Sequence, residues 1–235
     1  MVKKAKSPRT SQKEINYSRI SPRNQAQAEY IDLIEVNDIV FGIGPAGTGK
    51  TFLAAHKAAE AFNDASIDKI VICRPIVEAC GEDLGYLPGD IDEKTEPYML
   101  PIYDAFQAHW PWAQIINMKK RKEIEICPLG YMRGRTFENC FVIADEMQNA
   151  SEEQMLMLLT RIGNNTTMVI TGDPQQRDYV SARGLEVAVN RLSGCPGIAF
   201  IDFDLSDVVR HKTVERVLTL WEKNSSNKRN MFAMA

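Results

Sequence analysis

Gly44-Pro45-Ala46-Gly47-Thr48-Gly49-Lys50-Thr51 decides how the rest of this 235-residue chain is read. The stretch satisfies G-x-x-x-x-G-K-[ST] in full. It follows the apolar run Ile39-Val40-Phe41-Gly42-Ile43 and precedes the helix-forming Phe52-Leu53-Ala54-Ala55-His56-Lys57-Ala58-Ala59, so a strand feeds a loop that opens a helix. Glycines let the backbone turn its N–H groups inward around phosphates, and the helix N-terminus adds a dipole that favours negative charge. All eight residues from Gly44 to Thr51 are therefore assigned to ATP. Lys50 is expected to reach the β/γ-phosphates, and Thr51 to offer its hydroxyl to Mg²⁺. The spacing predicts an α/β fold with a mostly parallel sheet flanked by helices.

Working outward, Cys140-Phe141-Val142-Ile143-Ala144 is a strand-like run that ends in Asp145-Glu146. Two carboxylates about ninety residues after a P-loop form the partner motif of the phosphate site. Asp145 is predicted to hold Mg²⁺ and Glu146 to orient the attacking water. Ser151-Glu152-Glu153-Gln154 caps a helix whose Met155, Leu158, Leu159 and Ile162 face inward. Thr167 to Thr171 is another strand, followed by Gly172-Asp173-Pro174-Gln175-Gln176, where a Gln can sense the γ-phosphate. Ile198 to Ile201 gives a last strand, and Asp207-Val208-Val209-Arg210-His211 leads into a closing helix. Arg210 is a candidate arginine finger, or else a partner in a structural salt bridge.

Upstream, Asn24 to Ile34 has helical periodicity in Ala28, Ile31 and Ile34. Gln27 and Tyr30 are candidates for reading and stacking on adenine, against the alternative of a solvent-facing amide and a half-buried core tyrosine. Lys69 to Cys73 is a second parallel strand with Arg74-Pro75 at its tip. Residues 75–90 are too broken by Gly and Pro for a regular element. From Ile91 to Trp112 helical spacing returns through Tyr98, Ile102, Phe106 and Trp110, interrupted by Pro97, Pro101 and Pro111. Residues from about 76 to 136 read as an insertion. Lys119-Lys120-Arg121-Lys122 reads as a charged helix face, whereas Tyr131-Met132-Arg133-Gly134-Arg135 suits a loop that touches a phosphate backbone. Arg74, Arg133 and Arg135 are the candidate nucleic-acid contacts.

Composition sets the bounds. Hydrophobic residues at 44% and charged residues at 25% argue for a globular body. Residues 1–19 carry net +5 and residues 223–235, taken with Glu222, carry net +2. With a total of −3, that leaves −10 on the body. A globally basic nucleic-acid binder is excluded, although a local basic strip is not. The expected organisation is a basic N-terminal tail over 1–19, one ATPase domain over 20–222 and a C-terminal tail over 223–235. No apolar run approaches the roughly 18 residues that span a bilayer, so a soluble, cytoplasmic protein is expected. Cys73, Cys80, Cys127, Cys140 and Cys195 are dispersed without C-x-x-C, which argues against a disulfide framework or a zinc site.

Taken together, these blocks resemble the PhoH-like ATPases, whose RecA-like core is similar to that of superfamily 1 helicases. The resemblance covers nearly all of residues 20–222. It rests on Pro22-Arg23-Asn24 with Gln27 and Tyr30, GPAGTGKT at 44–51, RPIVEACGEDLGYLPGD at 74–90, YMRGRT at 131–136, DEMQNA at 145–150, LTRIG at 159–163, TGDPQQ at 171–176 and DVVRH at 207–211. It implies ATP hydrolysis, a ring-like oligomer, a link to phosphate starvation and a role on RNA or single-stranded DNA. Gln25-Ala26 stands where the family often has Pro-Asn, and Pro174-Gln175 where it often has Val-Thr, so Gln176 matches the sensor glutamine. The leading expectation is a nucleic-acid-linked ATPase. A small-molecule kinase and an ATP-gated binding module are the alternatives. A chain of this length holds one such core, so a neighbouring subunit is expected to complete the site in a homo-oligomer, a hexameric ring, with Arg210 reaching across.

Overall fold

The structure, a computed structural model, describes residues 20–75, 91–209 and 213. The readings of the two tails, of residues 76–90 and of Arg210 fall outside these residues. Six strands form one sheet: β1 (Ile39–Ile43), β2 (Lys69–Cys73), β3 (Ile124–Ile126), β4 (Cys140–Ala144), β5 (Thr167–Gly172) and β6 (Ile198–Asp202). Their order is β3-β2-β4-β5-β1-β6, and every pairing is parallel. Parallel strands covered on both faces read as continuous apolar runs. Accordingly, all five positions of β1 and of β4 are buried.

Alternation along the strands divides the core in two. Val40, Ile70, Ile72, Ile143 and Val169 pack on one face with Tyr30 of α1 (Gln25–Val36) and Leu53 of α2 (Lys50–Asn63). Phe41, Val71, Val142, Met168 and Ile170 pack on the other with Met155 and Leu158 of α5 (Glu152–Leu159) and Leu185 of α6 (Gly184–Leu192). The register pairs Ile43 with Gly172 and Cys73 with Ala144. The residues that follow β1, β2, β4 and β5 therefore emerge together at the carboxyl edge of the sheet, where ligands of such folds bind.

The segment expected as an insertion is part of this framework. α3 (Ile91–Phe106) runs through Pro97 and Pro101, and α4 (Trp112–Lys120) follows it. Each proline removes one backbone hydrogen bond. Helix α3 nevertheless supplies Ile102, Tyr103 and Phe106 to the first core face, with Trp110 beyond it, and β3 extends the sheet beside β2. Core burial outweighs the local penalty.

Helix α2 also carries one member of a buried pair of imidazoles, and the segment after α3 carries the other. His109 Nε2 shares a hydrogen bond with His56 Nδ1, with ring centroids 4.4 Å apart. Both residues are buried, and Phe52 packs on the His56 ring at 4.4 Å.

Candidate nucleotide-binding site

The P-loop leaves β1 with Gly44 at φ +136, Gly47 at +88 and Gly49 at +89. A Cβ on Gly44 would lie 2.2 Å from the Phe203 carbonyl oxygen, so only glycine fits there. Helix α2 starts at Lys50 without a side-chain cap. Its first N–H groups are left for an anion. Lys50 is 8% exposed and donates from Nζ to the carbonyls of Gly44 (2.6 Å) and Pro45 (2.7 Å). Burial pushes its ammonium pKa down, and the charges of Asp173, Glu146 and Asp145 only partly offset this.

Opposite the loop, Asp145 is 4% exposed. Its Oδ1 accepts from Thr51 Oγ1 and from Thr171 Oγ1, each at 2.6 Å. The chain then turns sharply, with Glu146 at φ 55 and ψ 36. That left-handed conformation costs a non-glycine residue about 1–3 kcal/mol and persists only when its surroundings enforce it. The Glu146 side chain remains 39% exposed.

These groups surround one cavity of about 270 Å³, lined by Ala46, Gly47, Gly49, Lys50 and Thr51 of the loop, by Asp145, Glu146, Thr171 and Asp173, by Pro101 of α3 and by Gln176. Pockets that bury a whole drug-sized ligand hold roughly 300–1,000 Å³, so this one suits the phosphate end of a nucleotide. The Thr51 hydroxyl and the Asp145 carboxylate meet on its wall. They are hard oxygen donors of the kind Mg²⁺ takes, and the fit is good. Gln176, rather than Gln175, lines the cavity. Gln175 donates its N–H to Asp173 Oδ1, and Gln176 donates its own to the Asp173 carbonyl.

Four of the expected site residues already have partners within the chain. Tyr30 is fully buried, edge-on to Phe203 at 5.4 Å, so neither ring face is open to adenine. Gln27 is 5% exposed. Its Oε1 accepts from the Arg23 N–H and its Nε2 donates to the Thr48 carbonyl, so its amide braces the P-loop. Arg74 turns inward, with Nη1 3.8 Å from Asp145 Oδ2 and Nη2 3.5 Å from Glu146 Oε1. Arg135 pairs with Glu125 at 2.6 Å and lies over the Phe137 ring. Only Arg133 of the candidate nucleic-acid contacts is exposed and forms no hydrogen bond or ion pair among the described residues. Tyr131 beside it is 61% exposed.

Sequence reasoning missed Thr171 and Gln148. Gln148 is 2% exposed, donates from Nε2 to Glu146 Oε2 at 2.5 Å and accepts the Asp173 N–H at 3.1 Å. A threonine just before Gly-Asp and a glutamine two residues after Asp-Glu were the signals available.

The family model for PhoH-like protein matches residues 19–222. The chain belongs to the PhoH-like protein family. It is 46% identical over 208 residues to the PhoH-like protein of Bacillus subtilis (strain 168), covering 88% of this chain and 65% of that protein. To protein PhoH of Escherichia coli (strain K12) it is 43% identical over 206 residues, covering 86% and 58%. The chain thus spans less than two thirds of the length of either relative. A solved structure, the Sulfolobus solfataricus SWI2/SNF2 ATPase core in complex with dsDNA, aligns at a TM-score of 0.44 and 10% identity, over 78% of this chain and 45% of that one. The all-parallel sheet, the P-loop and the family membership together identify an α/β fold of the P-loop NTPase class. No helix among the described residues is long and apolar enough to cross a membrane.

Proposed function

We propose that the chain hydrolyses ATP with Mg²⁺ and couples turnover to RNA or single-stranded DNA. The observation that carries this reading is the convergence of the Thr51 and Thr171 hydroxyls on Asp145 Oδ1, beside Lys50 and Glu146 on one cavity wall. Lys50 supplies the cation for the β- and γ-phosphates, and the bare N-terminus of α2 supplies N–H donors. Thr51 and Asp145 would hold Mg²⁺, which when bound neutralises charge on the phosphate oxygens. Glu146 orients the attacking water and takes its proton, and Gln176 faces the same cavity as sensor. The Asp145-Glu146 pair with Gln176 on the same cavity favours water as the acceptor over a kinase substrate.

Free phosphate release tests the reading. EDTA is expected to abolish it, and Glu146→Gln to keep ATP binding while turnover falls by about 10²–10⁴-fold. Wild-type release by that variant would remove Glu146 from the role. The polynucleotide arm rests on exposed Arg133 beside exposed Tyr131, a cation next to a stacking ring. Arg133→Ala is expected to weaken binding to single strands and flatten its salt dependence. The reading extends to a cytoplasmic homo-oligomeric ring in which Arg210 acts across subunits. Its support is the family resemblance, and its test is activity regained on mixing Arg210→Ala with Lys50→Ala subunits.

A further inference from the structure

The turn that follows β4 uses its polar side chains in two directions. Glu146 lines the cavity, yet both of its carboxylate oxygens are held from outside it. Gln148 Nε2 donates to Oε2 at 2.5 Å, and Arg74 Nη2 lies 3.5 Å from Oε1. Neither Arg74 nor Gln148 is among the residues that line the cavity. They sit outside that lining, where Gln148 meets Glu146 and Arg74 meets both Glu146 and Asp145.

Each holder is itself anchored. Arg74 Nη1 donates to the Tyr98 carbonyl of α3 at 2.9 Å. Gln148 Oε1 accepts the Asp173 N–H at 3.1 Å, and the next residue, Asn149, exchanges two hydrogen bonds with Asp178, at 2.7 and 2.9 Å. The Asp173 to Asp178 segment, which carries Gln176, is therefore fastened at both ends to the residues that follow Glu146. The amide at position 148 donates to the carboxylate through its NH2 and accepts the backbone N–H through its carbonyl oxygen. The left-handed backbone at Glu146 needs such external restraint to persist.

We infer that Arg74 and Gln148 are positioning residues for Glu146, and that Gln148 makes the direction of the Glu146 carboxylate depend on the turn that carries Gln176. The inference rests on the hydrolytic reading of the site. Occupation of the γ-phosphate position beside Gln176 is thereby communicated to the water-orienting group through one buried amide. A mispositioned carboxylate still leaves the P-loop able to bind nucleotide, so the signature is a loss in kcat without a matching change in KM.

The experiment compares Gln148→Met, which loses both hydrogen bonds, with Gln148→Glu, which keeps the acceptor towards Asp173 and loses the donor towards Glu146. Arg74→Met and Arg74→Lys accompany them. Phosphate release, affinity for a fluorescent ATP analogue and melting temperature are measured for each, alone and combined with Glu146→Gln. For Gln148→Glu, Gln148→Met and Arg74→Met, kcat is expected to fall by about 10–10²-fold while KM and affinity stay within about threefold, with Arg74→Lys recovering part of the loss. In the Glu146→Gln background the same changes are expected to cost nothing further. Near-wild-type kcat in folded Gln148 and Arg74 variants, or an equal loss in both backgrounds, overturns the inference. Should the Gln148 variants not fold, the Arg74 pair decides alone. Wild-type turnover by Glu146→Gln would overturn both this inference and the hydrolytic reading, whereas an inactive Glu146→Gln beside an active Gln148→Met overturns this inference only.

Discussion

In the cavity beside the P-loop, the polar residues Lys50, Asp145 and Glu146 line the open space. In α1, just ahead of the P-loop, equally polar side chains turn away from it. Asn24 caps the helix by accepting from the Gln27 N–H and donates to the Asp207 carbonyl, while Gln27 itself holds the Thr48 carbonyl. The Val209 N–H closes on the Gly47 carbonyl from the other side. Both regions carry motif residues, but one lines the cavity and the other braces the loop beside it. A P-loop is a run of backbone carbonyls and amides that must hold a concave form, and unpaired buried carbonyls are costly. Residues near a nucleotide site are thus as readily used to satisfy the loop as to touch the ligand.

The largest effect should come from breaking the phosphate side. Asp145→Ala removes the acceptor shared by Thr51 and Thr171, and phosphate release is expected to fall by at least about 10²-fold. Activity within a few-fold of wild type would show that the cavity is not where the chemistry occurs. A smaller effect separates bracing from base reading. Gln27→Ala strips the Thr48 carbonyl of its donor and should raise KM for ATP and GTP alike, by about three- to tenfold. Selective loss of ATP preference would instead return Gln27 to the base. The smallest concerns Tyr30, whose buried hydroxyl has no partner among the described residues and whose pKa burial, with Asp145, drives up. Tyr30→Phe is expected to leave nucleotide preference unchanged and to stabilise the fold by about 1 kcal/mol, seen as a rise of a few degrees in melting temperature. A shift in preference would reopen the tyrosine as a stacking residue.

What could be read from the sequence follows the range of each interaction. The Ser151 capping box lies within four residues and is present, with the Ser151 hydroxyl accepting from the Gln154 N–H and the Gln154 side chain accepting from the Ser151 N–H. The P-loop and the apolar run into Asp145 were equally legible, because loop and strand are written in adjacent residues. The contacts that organise the site span 94 residues from Thr51 to Asp145, 26 from Thr171 to Asp145 and 25 from Gln148 to Asp173. No local pattern encodes them. Arg135 looked free beside glycine and tyrosine because its partner Glu125 belongs to a neighbouring strand. The course of α3 through two prolines was hidden for a related reason: local propensity argued for a break, and the core that Tyr103 and Phe106 fill outweighed it.

The His56 and His109 pair gives the P-loop helix a proton linkage. Burial, reinforced by His109, pushes His56 down to about 4, and burial also lowers His109 against the opposing charge of Glu60. In the unfolded chain both imidazoles titrate near about 6.5. Between these values the unfolded state binds more protons than the folded one, so the stability the pair contributes is complete above about pH 6.5 and is lost as pH falls towards 4. Denaturant midpoints at pH 7.5 and 5 should therefore differ, and His56→Gln should narrow that difference. Mild acid would loosen the seam between α2 and the segment after α3, behind the very helix whose first turn lines the cavity.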